Sequence, residues 1–310
     1  MDYKAFVEDQ IASIRSAVGG HLAINALSGG VDSSVVTVLG HRSLGKQLKT
    51  VFIENGLMRK DEPERIVKLF AGIGIPVQLV DSRADFLNAL KGLTDPEEKR
   101  NAITKTFYEK VFGRLVREIG AKFLFHGTIL TDIEETVAGI KRQHNILAQV
   151  GIDPEKEYGY QVLEPLKTLR KDGVREVARV LSLPAEIAQR IPFPGPALAT
   201  RIVGEVTEER LATVREATAI VEEELQGSGA FQYLAVLLSD RATGIINGKR
   251  VFGQIIVVRC IHCVDARTAT AVELSWKKLQ RVCERVTAIQ GVNRCLYDLT
   301  PKPPATIEYI

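Results

Sequence analysis

Ser28-Gly29-Gly30-Val31-Asp32-Ser33-Ser34 decides how the rest of this chain is read. Before it lies an apolar run from Leu22 to Leu27, broken only by Asn25, with the composition of a buried strand. After it comes Val35-Val36-Thr37-Val38-Leu39, which reads as the start of a helix. A strand, a tight Gly-Gly turn and a helix N-terminus converge backbone N–H groups on one point, and the helix dipole adds about half a positive charge there. Glycines let the backbone come close to a ligand, and Ser28, Ser33 and Ser34 add hydroxyl donors. Phosphate is the expected guest. No lysine follows the glycines, so this is not a Walker A loop. Asp32 stands instead inside the anion cradle, where a carboxylate repels bare phosphate and makes sense holding a Mg²⁺ that clamps phosphate oxygens. The plain alternative is a glycine turn in which Ser33 or Ser34 caps a helix.

Outward from the loop, strands alternate with helices. Phe6 to Val18 has the spacing of an amphipathic helix, Thr50 to Ile53 reads as a second buried strand, and Asp61 to Phe70 as a helix. The second strand ends at Glu54-Asn55-Gly56, at the end where ligands bind in open α/β sheets; an adenine-reading backbone and an ordinary turn are equal readings of it. Ile75 to Val80 is a third strand. Asp95 caps a helix that begins at Pro96 and runs towards Ile119, and Lys122 to Phe125 is a fourth strand closed by His126-Gly127-Thr128. This order predicts an α/β fold with a doubly wound parallel sheet. From Thr131 to Tyr160 the pattern breaks into a polar stretch with Asp132, Glu134, Glu135, Lys141, Arg142 and His144, either a functional lid or a solvated loop. A helix near Lys171 to Leu181 follows.

Ile191 to Ala197 holds three prolines and reads as a hinge, dividing the chain into domains at 1–190 and 191–310. Beyond it the expected elements are a strand over Arg201 to Val206 and a helix from the cap Thr207 to about Leu225. Strands at Ala235 to Leu238 and Val251 to Val264, a helix over Thr268 to Ile289 and a strand over Val292 to Leu299 complete a smaller C-terminal α+β domain. The tail Lys302-Pro303-Pro304-Ala305-Thr306-Ile307-Glu308 offers a lysine and a threonine that could grip a phosphate, or is a solvated end.

Composition sets the class. Of 310 residues, 45% are hydrophobic and 25% charged, the mix of a globular protein, and a net charge of +3 implies no general nucleic-acid field. Met1-Asp2-Tyr3-Lys4 does not open a signal peptide and no apolar run approaches the ~18 residues of a membrane span, so a cytoplasmic location is expected. The cysteines are Cys260, Cys263, Cys283 and Cys295. Cys260 and Cys263 fall within a strand, where positions three apart point to opposite faces, which favours buried thiols over a zinc site.

S-G-G-x-D-S resembles the PP-loop of ATP pyrophosphatases, and later strings make the resemblance narrower. These are D-P-E-E-K-R at Asp95 to Arg100, G-T-I followed by Asp132 and Glu135, I-K-x-x-H-N at Ile140 to Asn145 and E-P-L at Glu164 to Leu166. P-F-P-G-P at Pro192 to Pro196 and K-P-P-A-T-I-E at Lys302 to Glu308 complete the set. Together they resemble the GMP synthetase family over nearly the whole chain, in the form whose glutaminase is a separate chain. The resemblance implies ATP and Mg²⁺ as cofactors and XMP as acceptor, with ammonia from the partner glutaminase. It also implies a homodimer through the C-terminal domain and neither nucleic acid nor membrane as partner.

By resemblance, Ser28, Gly29, Gly30, Val31, Asp32, Ser33 and Ser34 hold pyrophosphate and metal, with Asp32 and Asp132 as metal ligands. Asp132, Glu135, Lys141 and His144 belong to the catalytic lid, and Lys141 neutralises charge at the α-phosphate. Arg201, Arg250, Lys302, Thr306 and Glu308 bind XMP, partly across a dimer interface. The chain departs from the family pattern in places. A lid usually reading K-S-H-H-N-V-G-G is Lys141-Arg142-Gln143-His144-Asn145-Ile146-Leu147-Ala148, Ala197 replaces the last glycine of P-F-P-G-P-G, and the usual Gly-Asp near Asn247-Gly248 is absent. Other readings of the same residues are a PP-loop ligase with a different acceptor and a non-catalytic nucleotide-binding subunit.

Overall fold

The computed structural model describes residues 1–137, 159–188, 191–263 and 268–310, with residues 135–137, 188 and 246 described by backbone only. Strands β1 (Ala23–Ala26), β2 (Leu48–Glu54), β3 (Val77–Asp81), β4 (Phe123–Phe125) and β5 (Gln161–Leu163) form a parallel sheet in the order β3-β2-β1-β4-β5. The chain winds outward from β1 to β3 and then restarts on the other side of β1 at β4. The strand order therefore switches between β1 and β4, where the carboxyl ends of an open sheet leave a ligand crevice.

Helix α1 (Tyr3–Val18) is capped by Asp2, whose carboxylate accepts from the N–H groups of Lys4 and Ala5 at 2.9 and 3.1 Å, and buries Phe6, Val7, Ile11, Ile14 and Val18 as its spacing requires. Helix α2 (Val31–Leu44) lies against the sheet at Gly40, where an added Cβ would stand 2.9 Å from Leu48 Cδ2 and 3.3 Å from Phe125 Cε1. Asn25, the polar interruption of β1, is buried because it has a partner. Its amide donates to Thr37 Oγ1, which donates in turn to the Ser33 carbonyl at 2.7 Å. A buried polar side chain thus ties β1 to the first turns of α2.

Asp95 caps its helix as its position suggests, accepting from the N–H groups of Glu97 and Glu98 at 2.9 and 3.0 Å. The helix Pro96–Lys105 passes through a π-helical stretch, Thr106–Phe112, into Gly113–Ile119. Short elements that escaped the sequence reading include the helix Arg83–Leu90, strand β5 and the helix Leu130–Val137. The helix Leu130–Val137 corrects the reading of an irregular segment from Thr131. Leu130, Ile133 and Val137 recur at helical spacing, and the Asp132 carboxylate accepts the Ile129 N–H at 3.1 Å across the first turn.

The chain divides into two compact units. One holds Met1–Glu54, Pro63–Ser82 and Thr104–Arg190; the other holds Asn55–Glu62, Arg83–Ile103 and Ile191–Ile310. The two early excursions into the second unit were not legible in sequence. Each is tied to the second unit by polar contacts. Leu198 N donates to Leu57 O at 3.0 Å, Arg215 Nε to Met58 O at 2.9 Å, and Gly92 N to Glu205 Oε1 at 2.8 Å.

In the second unit, β6 (Gln232–Ile246) and β7 (Lys249–Cys263) form a hairpin around Asn247-Gly248, with φ of +51° and +74° as a tight two-residue turn requires. Both strands are longer than their apolar cores, because the outer half of β6 from Ser239 to Gly244 is polar or small. β8 (Ala269–Ala271) pairs antiparallel and β9 (Val292–Tyr297) parallel with β7. Thr207 caps the helix Glu208–Leu225 as expected, through Arg210 N at 3.3 Å.

Two expectations fail. Residues 201–206 form no strand: a 3₁₀ turn, Ala197–Arg201, leads to a single bridge between Ile202 and Leu237. The reason is that the Arg210 guanidinium takes the Val203 and Glu205 carbonyls at 2.7 and 2.5 Å. The helix read over 268–289 is shortened to Trp276–Thr287 by its cap Ser275, leaving β8 ahead of it. Cys260 and Cys263 are buried free thiols within β7.

Candidate active site

The phosphate loop leaves the carboxyl end of β1 and enters α2 with Gly30 at the N-cap, where no side chain caps the helix. The first amides of α2 are therefore not used by a capping group. Gly29 holds φ +77°, a left-handed conformation in which glycine is at no disadvantage. Ser33 Oγ donates to the Gly30 carbonyl at 3.0 Å and lies 2.9 Å from Ser28 Oγ, so two hydroxyls brace the turn from inside. Gly127, beyond the end of β4, packs against the loop: a Cβ there would stand 3.4 Å from Ser33 N and 3.5 Å from Asp32 Cβ. The loop and the β4 end thus meet at the topological switch.

Asp32 is the chemical centre of this arrangement. Its Oδ2 accepts from Lys171 Nζ at 2.6 Å, while Oδ1 is buried without a hydrogen-bond partner, and so is Ser34 Oγ. A buried carboxylate oxygen without a partner costs free energy unless a ligand completes it. Among the described residues no group of three or more His, Cys, Asp or Glu side chains assembles a metal cage. Magnesium is held by one or two carboxylates together with substrate phosphates, and the unpartnered Asp32 Oδ1 is an oxygen of that kind.

Lys171 was missed in the sequence. It is the first residue of the helix Lys171–Val180, where the helix dipole disfavours a cation. A lysine at that position signals a nearby anion, and Asp32 is that anion in this structure. Beside the loop, Thr128 Oγ1 donates to Glu164 Oε1 at 2.6 Å and lies 2.7 Å from His126 Nδ1. The hydroxyl has one proton and gives it to the carboxylate, so His126 Nδ1 carries the proton in the other bond. This run connects the ends of β4 and β5 through G-T-I and E-P-L.

Asp132 stands in the first turn of Leu130–Val137, and Glu135 lies in the same helix with its side chain outside the described set. Lys141 and His144 lie outside the described residues.

In the second unit, Arg201 is fully buried rather than solvated, and Glu308 accepts from its Nε and Nη2 at 3.3 and 3.2 Å. Gln232 also donates to Glu308. Arg201 Nη1 is buried with no partner. Thr306 Oγ1 donates to the Glu308 carbonyl, and Lys302 exchanges backbone hydrogen bonds with Ala269 at 2.8 and 3.1 Å. Arg259, also buried and also missed in the sequence, anchors the tail. It donates to Asp298 Oδ2 at 2.6 Å, Thr300 O at 2.9 Å, Thr306 O at 2.8 Å and Ile307 O at 3.3 Å. Arg201, Thr306 and Glu308 therefore share one neighbourhood. Arg250 does not. It is exposed near the hairpin tip, nine residues and roughly 30 Å along β7 from Arg259.

Residues 219–309 match the family model described as GMP synthase C terminal domain. Over its full length the chain is 49% identical to the B-subunit of glutamine-hydrolyzing GMP synthase from Archaeoglobus fulgidus, covering all of both chains. It is 47% identical to the proteins of the same name from Pyrococcus horikoshii, covering all of both chains, and Methanopyrus kandleri, covering 99% of each. Among solved structures it is similar to an NH3-dependent NAD synthetase from Campylobacter jejuni, with a TM-score of 0.48 and 17% identity over 61% of this chain and 77% of that one. On the full-length likeness and the matched C-terminal domain, this chain belongs to the family of GMP synthase B-subunits.

Proposed function

We propose that this chain performs the ATP-dependent half of GMP synthesis and works with a separate glutaminase subunit. ATP adenylates O2 of XMP with loss of pyrophosphate, and ammonia then displaces AMP to give GMP. Asp32 carries the reading: a carboxylate among helix N-terminal amides, with one oxygen buried and unpartnered, suits a cation–phosphate site better than a structural turn.

Each group has its own part in the reaction. Backbone N–H groups of the first turn of α2, which no side chain caps, seat the β- and γ-phosphates that become the leaving pyrophosphate, in a loop braced by the Ser28 and Ser33 hydroxyls. Lys171, already paired with Asp32, supplies a cation to that leaving group. Asp32 and Asp132 would hold a Mg²⁺, which when bound neutralises charge on the phosphate oxygens. Glu135, Lys141 and His144 act in the adenylation, with Lys141 neutralising charge at the α-phosphate. Arg201, Lys302, Thr306 and Glu308 hold XMP, and their gain is chiefly one of orientation. Arg250 serves the acceptor of a second copy, because its own chain keeps it far from the tail, and the pair forms a homodimer through the C-terminal domains.

Among the described residues no helix is long and apolar enough to cross a membrane, and the proposed reaction is one of the cytoplasm. Purified chain with ATP, Mg²⁺, XMP and a high concentration of ammonium salt should form GMP and pyrophosphate one to one without a partner. With glutamine replacing ammonium, turnover should require the glutaminase subunit. Pyrophosphate release that is absent, or equal with and without XMP, contradicts the proposal.

A further inference from the structure

Phe193 lies between Pro192 and Pro194, which restrict the backbone on both sides of it and so limit where its ring can go. Two guanidiniums lie over that ring. Arg59 Cζ is 3.8 Å and Arg201 Cζ 4.8 Å from its centroid. Both arginines are buried, Arg201 completely, and a carboxylate holds each: Glu222 accepts from Arg59 Nε at 2.6 Å, and Glu308 accepts from Arg201. Two buried cations against one ring repel each other, and each has left its hydration shell. The negative π face offsets part of both costs, more strongly here than at a solvated site. Each arginine also keeps one buried nitrogen, Nη1, without a hydrogen-bond partner. Glu308 takes the Nε–H and one Nη2–H of Arg201, so both N–H groups of the buried Nη1 remain for an anion.

We infer that Phe193 and Arg59 are positioning residues for Arg201. The ring and the Glu222-anchored Arg59 that shares it fix the plane of the Arg201 guanidinium so that its Nη1, which has no hydrogen-bond partner, is presented to the acceptor nucleotide. This rests on the proposal above that Arg201 binds XMP, and it adds two residues that do not themselves touch the substrate. Fixing the guanidinium in advance removes an ordering cost from acceptor binding and leaves ATP binding alone.

The test is the ammonium-driven reaction of the full chain, with KM measured separately for XMP and ATP and with thermal unfolding followed in parallel. Phe193→Leu keeps apolar bulk and removes the π face. It should raise KM for XMP about tenfold to thirtyfold, the effect of losing a desolvated cation–π contact, with KM for ATP unchanged. Phe193→Tyr keeps the face and should stay within about twofold of the parent. Arg59→Lys keeps a charge beside Glu222 but loses the planar group, and should raise KM for XMP about fivefold. If Phe193→Leu does not fold, Arg59→Lys decides by the same split.

The inference is overturned if Phe193→Leu leaves KM for XMP at the parent value. It is equally overturned if both KM values rise together, or if Phe193→Tyr is as impaired as Phe193→Leu. Arg201→Met separates the two levels. An unchanged KM for XMP in that variant removes Arg201 from the acceptor site altogether, whereas a raised value beside a normal Phe193→Leu defeats only the positioning role.

Discussion

Around Ser28–Ser34 the donors are backbone N–H groups and hydroxyls of one contiguous stretch, placed by a strand end and a helix start. Around Arg201 the groups are side chains from distant positions of the second unit: Arg201 and Gln232 donate to Glu308, and the Arg59 and Arg201 guanidiniums lie on the Phe193 ring. The first design costs little to form. Amides at a helix N-terminus are unpaired anyway, and Asp32 and Lys171 keep partial access to water. The second buries full charges and recovers the desolvation cost through ion pairs, carbonyls and an aromatic face. The difference teaches where each region is vulnerable. Substitutions in the loop should remove chemistry and leave the fold, while substitutions among the buried arginines should affect stability as well.

The largest expected effect is in the loop. Asp32→Asn should lower XMP-dependent pyrophosphate release by roughly 10²–10³-fold or more, and Lys171→Met by about 10². Neither should shift the thermal midpoint by more than about 2 °C, because the Asp32–Lys171 pair is partly exposed and such pairs contribute about 0–1 kcal/mol. A midpoint that collapses with the activity would erase the contrast between the two regions. Next comes Arg259→Met, which strands Asp298 and three carbonyls and should destabilise the chain by about 3 kcal/mol in denaturant unfolding. A loss below about 1 kcal/mol would mean that the tail is not anchored as described.

Lys99 gives a smaller, pH-dependent effect. It is buried, donates to Ile202 O at 2.7 Å, and its pKa is lowered from 10.5 to about 8, by desolvation first and by Arg210 second. Between those two values the unfolded chain binds more protons at this site than the folded chain, so stability should rise with pH from about 8. Below pH 8 the full cost of the buried charge applies. Thermal midpoints from pH 7.5 to 10 should show this rise in the parent, and Lys99→Met should flatten it. An identical profile in the variant would remove Lys99 as the cause. The upper limit is set by buried tyrosines such as Tyr108, whose pKa burial raises from 10.0 to about 12, because they oppose the trend above pH 10.

The smallest expected effect is Ala197→Gly. Ala197 is buried and held at φ +54°, in the left-handed region that costs a residue with a Cβ about 1–2 kcal/mol. Glycine removes that strain but adds unfolded-state entropy, so the net gain should be about 0.5–1 kcal/mol, a midpoint rise of about 2 °C. A lower midpoint would show that the methyl group packs well enough to outweigh the strain.

The same contrast explains what could be read from the sequence. The loop, its strand and its helix are local, so their residue order carries the geometry, and the winding of the parallel sheet follows from alternating apolar runs. Asn25 looked like a defect in its strand because its partner Thr37 lies a helix turn beyond the loop. Lys171 was missed because its meaning depends on Asp32, far away in sequence. Arg201 was marked only through the family resemblance; its burial and its ion pair with Glu308, 107 residues away, are products of the fold. Nothing local distinguishes Arg59 or Arg259 from other arginines, and only the fold brings their carboxylate partners to them. The strand expected at residues 201–206 failed for a related reason: the Arg210 side chain takes carbonyls that strand pairing would have used.

The central claim is that this chain joins the α-phosphorus of ATP to O2 of XMP. The most direct measurement uses XMP labelled with ¹⁸O at O2, with ATP, Mg²⁺ and ammonium, and mass analysis of the AMP released. The account predicts AMP carrying one ¹⁸O for each GMP formed, because the C2–O2 bond breaks in the amination step. AMP without the label, alongside labelled water or XMP, would contradict it.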